Sequence, residues 1–572
     1  MRKTHQIWRP IILSVGLIAL FAITLGMTLA APLGLPASDG EVEIQGRVTA
    51  APGDASGIGA WTVQVGGTVS RTVIADAATK FPDGVPTMGR VVKVAGILQG
   101  DGSILAEKFE WNGNDGNEVE IKGMVESRPL TTTGFGPWVI QVDRGLTQTV
   151  VADAATRFDR GVPQVGQRVE AKTVAQLDGS LRATRLRPDE FEDGQVVARL
   201  AAGVLSATVA ARYDLTPQST LLASADIYLF DTANVDDDVQ NLTGLLNSDP
   251  NVLWAELNYV GSIPTGSPYT IWKWGGQDAS SYVNQAAFQQ VNLDPALSHY
   301  QGDGVTVAVL DTGADLAHPG LIAHLISGRD MVADDALPQD EGTGLGWGHG
   351  THISGVIARM APNAKILPVR VLDSQGRGNT FILAYAIDWA VAQGADVINL
   401  SLGTPFDSQL LRESVAQAQA KGVVIVAAAG NAGDDALSYP AAYPGVVAVT
   451  AVDGADLKPD FASYGAWVDV AAPGVGITST VIGPDGSGYA GWTGTSMATS
   501  FVSGAAALAR QQQPARPARE YETLFRTTGA DLSALNPAYP DLLGTRLDVA
   551  ASVGVPSVVW SHWVYLPWAV RP

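Results

Sequence analysis

The chain has 572 residues, too many for one hydrophobic core, so several domains are expected. Acidic residues outnumber basic ones 57 to 36, for a formal net charge of −21, and no basic block occurs; nucleic acid and anionic membrane surfaces are poor partners for such a chain. There is no cysteine, which excludes disulfides, thiolate metal sites and a cysteine nucleophile.

Residues 1–30 read as a signal peptide. Arg2, Lys3 and Arg9 precede an apolar run from Ile11 to Ala30, and Thr28-Leu29-Ala30 supplies the small residues a signal peptidase reads. A run of about 20 apolar residues also spans a bilayer, so an uncleaved anchor is the alternative and the one route to a membrane. Either way the bulk of the chain is exported, and cysteine-free export fits a bacterial protein.

After a Pro/Gly linker an internal duplication begins. Glu41-Val42-Glu43-Ile44-Gln45-Gly46 recurs as Glu118-Val119-Glu120-Ile121-Lys122-Gly123, and the same offset carries Trp61 to Trp138, Asp76 to Asp153 and Phe81 to Phe158. Short alternating runs separated by Gly, Asp and Pro predict two small all-β modules, residues 41–113 and 118–188. Asp76 and Asp153, each before Ala-Ala-Thr, read as turn caps in preference to cation ligands. The modules carry no catalytic constellation and are expected to be spacers or binding units.

Residues 194–260 predict strand, helix, strand, strand, helix, strand: Gln195 to Leu200, Leu205 to Tyr213, Ser219 to Leu222, Ile227 to Asp231, Val235 to Leu246 and Val252 to Leu257. This is a ferredoxin-like α+β order. Residues 261–270 have no apolar period and read as a linker open to cleavage.

From 271 to 554 the pattern changes. Apolar strands at Val305 to Leu310, Lys365 to Leu372, Asp396 to Leu400, Val423 to Ala428 and Val446 to Val452 alternate with helices at Thr351 to Met360, Phe381 to Gln393 and Ser408 to Lys421. Strands apolar on both faces between helices predict an α/β domain with a doubly wound parallel sheet. A turn-rich segment, Gly483 to Gly494, precedes a buried helix beginning near Met497. A tail with three tryptophans, residues 555–572, closes the chain.

Four positions in this domain carry chemistry only when taken together. Asp311 ends a strand, His349 stands in Gly348-His349-Gly350-Thr351-His352, Asn431 closes Ala428-Ala429-Gly430-Asn431, and Ser496 lies in Gly494-Thr495-Ser496-Met497-Ala498. Singly, Asp311 and Asn431 are turn formers and Ser496 a helix cap. His349 and His352 lack an acidic third ligand at zinc-protease spacing. Jointly an acid, an imidazole and a hydroxyl, each at a strand end or helix start, are the parts of nucleophilic acyl transfer: a hydroxyl, a base to deprotonate it and a carboxylate to hold the base. The order Asp, His, Ser differs from that of the α/β-hydrolases, and the pentapeptide lacks the second glycine of a nucleophile elbow.

On these motifs residues 300–550 resemble the subtilisin family of serine endopeptidases. The resemblance implies that Asp311 orients, His349 is general base and then acid, Ser496 is the nucleophile and Asn431 donates to the oxyanion. It implies that Ser401-Leu402-Gly403 and Ala428-Ala429-Gly430 pair with substrate backbone and wall the primary pocket, with Ser438 at its floor, giving broad selectivity for apolar residues. Residues 194–260 are similar to the family's inhibitory prodomains, which implies self-cleavage within Tyr259 to Tyr269. The expected partners are polypeptide substrates and the chain's own prodomain, and a monomer is expected. No cofactor is required and no metal site is assigned: the family's strong calcium loop is missing between His352 and Ala361-Pro362, and Gly320 stands where an acid commonly follows His318-Pro319. The acidic loop Asp334-Asp335 to Glu341 is the alternative place for calcium. Ser500 and Phe501 replace a usual proline and histidine after the nucleophile. The rival reading is a non-catalytic exported binding protein that uses the β repeats.

Overall fold

The computed structural model describes residues 40–558 apart from short stretches such as 65–69, 111–117, 233–238 and 264–272. The segment read as a signal peptide, most of the linker expected to be cleaved and the three tail tryptophans lie outside the described residues. Among the described residues no helix is long and apolar enough to cross a membrane.

The two repeats each close on themselves. In the first, strands from Gly40–Ala50 to Ile104–Glu110 form a closed five-stranded barrel around Trp61, Val63, Val94 and Phe109. In the second, Arg168–Ala175 pairs with both Glu118–Ser127 and Leu181–Pro188, around Trp138, Ile140 and Leu186. Trp61 and Trp138 each donate an indole N–H to a glycine carbonyl four residues back, at 2.8 Å. Asp76 and Asp153 accept from the amide two residues on, also at 2.8 Å, as turn caps do.

The next module has a four-stranded antiparallel sheet, ordered Leu215–Ser219, Ile227–Thr232, Phe191–Leu200, Val252–Ser262, with two helices, Ser206–Tyr213 and Val239–Leu246. Three details differ from the sequence reading. The second strand precedes Ser219 instead of following it, the first strand begins at Phe191, and the last runs on to Ser262. The last extension has a tertiary cause: Val260, Gly261 and Ser262 pair with Asn379, Gly378 and Arg377 of the following domain.

That domain is built on an eight-stranded sheet in which every pairing is parallel, ordered Arg329–Asp330, Lys365–Arg370, Thr306–Asp311, Val397–Leu400, Val424–Ala428, Val447–Val452, Val470–Pro473, Thr545–Arg546. One face is covered by the helices His349–Met360 and Thr495–Gln512, the other by Thr380–Ala392 and Gln409–Ala420. Thr306–Asp311 comes first in the chain and lies between strands reached in opposite directions, which makes its carboxyl end the topological switch point. The segment read as turn-rich is instead a strand: Gly486–Trp492 pairs with Ile477–Gly483 as an antiparallel hairpin. Its three glycines, Gly486, Gly488 and Gly491, leave too few side chains for the alternation on which a sequence reading depends.

Candidate active site

Val307, Ala308, Val309 and Leu310 are fully buried, so the first strand runs through the core and delivers Asp311 to the switch point with no exposed surface. Its Oδ1 accepts from the Thr312 amide at 2.7 Å and meets His349 Nδ1 at 2.7 Å. His349 is the first residue of its helix. Gly350 makes this approach feasible, because a Cβ there would stand 2.1 Å from the Gly313 carbonyl oxygen. Asp340, which the sequence reading passed over, closes the helix start: its carboxylate accepts from the Gly348 amide and from the amide and hydroxyl of Thr351. Burial pushes its pKa up to about 6 against those hydrogen bonds. His349 Nε2 is buried and has no hydrogen-bond partner among the described residues.

His352, one helical turn on, is not in the same role. Its ring stacks on Trp492 at 5.3 Å and its Nε2 meets the Ile477 carbonyl at 2.9 Å. Burial pushes it down to about 3, so it is a neutral structural imidazole.

Ser496 is the second residue of the Thr495–Gln512 helix, whose N-cap is Gly494, so its hydroxyl is not a cap. Instead it donates to the Ser401 carbonyl at 3.3 Å, while Ser401 Oγ donates to the Ser496 carbonyl at 3.0 Å. Asn399 Nδ2 donates to Ser401 Oγ at 3.0 Å, and Ser503 Oγ to Asn399 Oδ1 at 2.8 Å. This buried chain pins the helix to the end of the Val397–Leu400 strand. The hydroxyl is therefore engaged with Ser401 and not with His349. Asn431 Oδ1 accepts from the amide and hydroxyl of Thr495, both at 2.9 Å, which fixes the orientation of the carboxamide and of its amide nitrogen. That nitrogen lies 3.0 Å from where a Cβ on Gly494 would be, next to the first-turn N–H groups that lack intrahelical acceptors.

Gly403 exchanges two backbone hydrogen bonds with Ser262, at 3.0 and 2.9 Å, and the Ile263 amide donates to the Gly376 carbonyl at 3.0 Å. The chain's own strand thus lies between two edges, Gly376–Asn379 on one side and Gly403-Thr404 on the other. The first edge was not singled out in the sequence; its signal was Gly376-Arg377-Gly378, two glycines leaving backbone open to a third strand. Ser438 lies against the second edge, with Oγ 2.6 Å from where a Cβ on Gly403 would be, and Thr404 bridges Tyr439. Gly430 donates to Thr495 Oγ1 at 3.3 Å, which sets it beside the Thr495–Gln512 helix, and Ala429 donates to the Val449 carbonyl of the neighbouring strand at 2.8 Å. Beneath Gly261 is an apolar pocket with Val371, Leu372, Leu383, Leu402 and Tyr439 in its lining, and the glycine sends nothing into it.

The upstream module is held by the starts of two helices. Glu256 accepts from Ser408 Oγ and from the amides of Gln409 and Leu410, and Asn258 Oδ1 accepts from the Phe381 amide at 3.0 Å. A carboxylate at a helix N-terminus is favoured by the unpaired amides and the helix dipole. Burial nonetheless raises the Glu256 pKa above the ordinary carboxylate range. Glu413 takes Arg199 and the Trp254 indole, while Val197, Ile227 and Leu229 pack on Phe381, Ala384 and Leu410.

In the acidic loop, Arg370 pairs with Asp330 at 2.7 Å and Glu341 at 2.6 Å, and Arg329 pairs with Asp334. Among the described residues no group of three or more His, Asp or Glu side chains is arranged to hold a metal.

Residues 302–544 match the Subtilase family (Peptidase_S8). The chain is 43% identical over 234 residues to thermitase of Thermoactinomyces vulgaris, covering 39% of this chain and 81% of that protein. The chain belongs to the subtilase family. It is also 41% identical over 285 residues to the thermophilic serine proteinase of Bacillus sp. (strain AK1), covering 48% of this chain and 67% of that protein. To subtilisin BL of Lederbergia lenta it is 41% identical over 244 residues, covering 41% of this chain and 87% of that protein. Its catalytic region is accordingly that of a serine endopeptidase. In fold, this subtilase is similar to fervidolysin from Fervidobacterium pennivorans, with a TM-score of 0.54 at 24% identity over 64% of this chain and 62% of that one. Residues 45–110 and 122–187 each match a domain of unknown function (DUF5666).

Proposed function

We propose that this subtilase hydrolyses peptide bonds with Ser496 as nucleophile, His349 as general base and acid, and Asp311 as the carboxylate that orients it. The observation that carries this reading is the 2.7 Å contact between buried Asp311 and His349 Nδ1, with Nε2 left open. The Asp311 contact makes Nδ1 the protonated nitrogen and leaves Nε2 to take the Ser496 proton. Rotation of the Ser496 hydroxyl away from Ser401 brings it to that base when substrate fills the cleft; catalytic hydrogen bonds commonly tighten only in the substrate complex. The tetrahedral oxyanion then accepts from Asn431 Nδ2 and the Ser496 amide. His349 returns its proton to the leaving amine, and water repeats the sequence on the acyl-enzyme.

Residues 191–263 act as an inhibitory prodomain in this reading. Their last strand is bonded to Gly403 and Gly376 as a substrate would be, by β-augmentation. The bond cut on maturation lies between Ile263 and Lys273, since Lys273–Trp274 is already anchored to the hairpin strand through Gly491 and Ala490. In a substrate that keeps this register, the residue two beyond the one paired with Gly403 faces Ser401 and the nucleophile. The position of Ser262 is therefore the third before the cut. Ser401, Leu402, Gly403, Ala429, Gly430 and Ser438 carry no charge, which supports broad acceptance of apolar residues before the cut. The product is secreted and monomeric, acts on polypeptides and needs no cofactor.

The test is the full chain with Ser496→Ala. It is expected to remain a single uncut precursor that takes up no fluorophosphonate probe, while the wild type processes itself and is labelled. A fully processed Ser496→Ala chain in a purified system would overturn self-cleavage, and an unlabelled wild type would overturn the nucleophile.

A further inference from the structure

Arg377 stands on the edge strand of the cleft between two glycines, and both of its terminal nitrogens are bound by Glu192, at 2.8 and 2.9 Å. Both side chains are largely buried, at 16% and 21% exposure, in a bidentate geometry that fits a carboxylate closely. Glu192 does not belong to the strand lying in the cleft. It comes from the neighbouring strand, Phe191–Leu200, and reaches past the cleft strand to the guanidinium. The residue paired with Arg377 in register is Ser262, and directly opposed residues of an antiparallel pair project from the same face within side-chain reach. The chain's own sequence thus sets a short serine opposite Arg377 and supplies the carboxylate from elsewhere.

When the upstream module leaves, Ser262 and Glu192 leave together. A substrate brings only the one strand, so it has no counterpart of Glu192. We propose that Arg377 is a specificity determinant, selecting substrates with aspartate or glutamate at the position that Ser262 occupies, the third residue before the cut. The proposal rests on the protease reading above for its register. The selected side chain reaches the guanidinium from the strand itself and restores the pair that Glu192 made. Lysine or arginine at that position meets a like charge instead, which gives the discrimination its sign. With the module gone the pair is partly solvated, so the expected preference is modest, roughly threefold to tenfold for Glu over Lys, and it falls with added salt.

The full chain is expressed, allowed to process itself, and incubated with a library of denatured proteins whose cleavage sites are read by mass spectrometry at low and high salt. Wild-type sites are expected to be enriched in Asp and Glu at the third residue before the cut. The enrichment should disappear in Arg377→Gln, reverse toward Lys and Arg in Arg377→Glu, and shrink in the wild type at high salt. A wild-type profile with no acidic enrichment at that position at low salt overturns the proposal, as does an enrichment unchanged in both variants. Should either variant fail to process, the wild-type profile and its salt dependence decide alone. A wild type that cuts nothing in the library fails the protease reading instead, and is thereby distinguished from failure of the Arg377 assignment.

Discussion

Ser262 and Gly403 are joined by a reciprocal pair of backbone hydrogen bonds, each amide donating to the other residue's carbonyl. That pair fixes the register of the chain's last upstream strand in the cleft. It also decides which residue covers the apolar pocket, and the residue is Gly261.

Gly261→Leu should therefore tighten self-inhibition. A Cβ at this position meets only ordinary contacts, the nearest being the Gly403 carbonyl oxygen at 3.4 Å. Burying a leucine side chain contributes about 1.5–3 kcal/mol, so the lag between processing and full activity should lengthen roughly tenfold or more. A time course of peptide hydrolysis after processing measures it; an unchanged or shortened lag would show that the pocket does not take this residue.

Glu192→Gln should have the opposite effect. It removes one partner of the bidentate pair and leaves the largely buried Arg377 guanidinium beside an amide, a loss of about 1–3 kcal/mol of docking. The same time course is expected to show a lag several-fold shorter than in the wild type.

Asn431→Ala should lower kcat by roughly 10² to 10³ while changing KM little, because the amide contributes to the oxyanion and not to ground-state binding. Thr495→Val, which removes the hydroxyl that helps to orient Asn431, should give a smaller fall in the same parameter. A KM effect with kcat intact would assign Asn431 to substrate binding instead.

Asp340→Asn should change how stability depends on pH. The folded pKa of Asp340 is raised to about 6 from an ordinary 3.8. Between those values the folded protein holds a proton that the unfolded chain has released, so this group's stabilising contribution is full below pH 3.8 and is lost as pH rises to about 6. The loss amounts to about 3 kcal/mol. In an inactive Ser496→Ala background, urea midpoints at about pH 4 and about pH 7, on either side of most of that window, should diverge more for the chain that keeps Asp340 than for the one that also carries Asp340→Asn. Asp469, also raised to about 6, is common to both proteins and cancels in the comparison. Equal pH slopes in the two would refute the assignment.

The sequence by itself determined the parts that depend on local pattern. Val307 to Leu310 and Val424 to Ala428, apolar on both faces, had to be buried parallel strands, and the motifs around Asp311, His349, Asn431 and Ser496 carried the resemblance to the subtilase family. The duplication was equally legible, because a constant offset needs no structure to be seen.

What the tertiary structure decided was contact between segments far apart in the chain. Glu192 on Arg377, Ser408 on Glu256 and Ser503 on Asn399 are pairings of ordinary polar residues with no motif of their own. The glycine-rich strand before Ser496 and the extension of the upstream strand to Ser262 exist because a neighbouring edge supplies their hydrogen bonds. Backbone pairing of that kind is set by which edges the fold brings together, and side-chain periodicity carries no record of it.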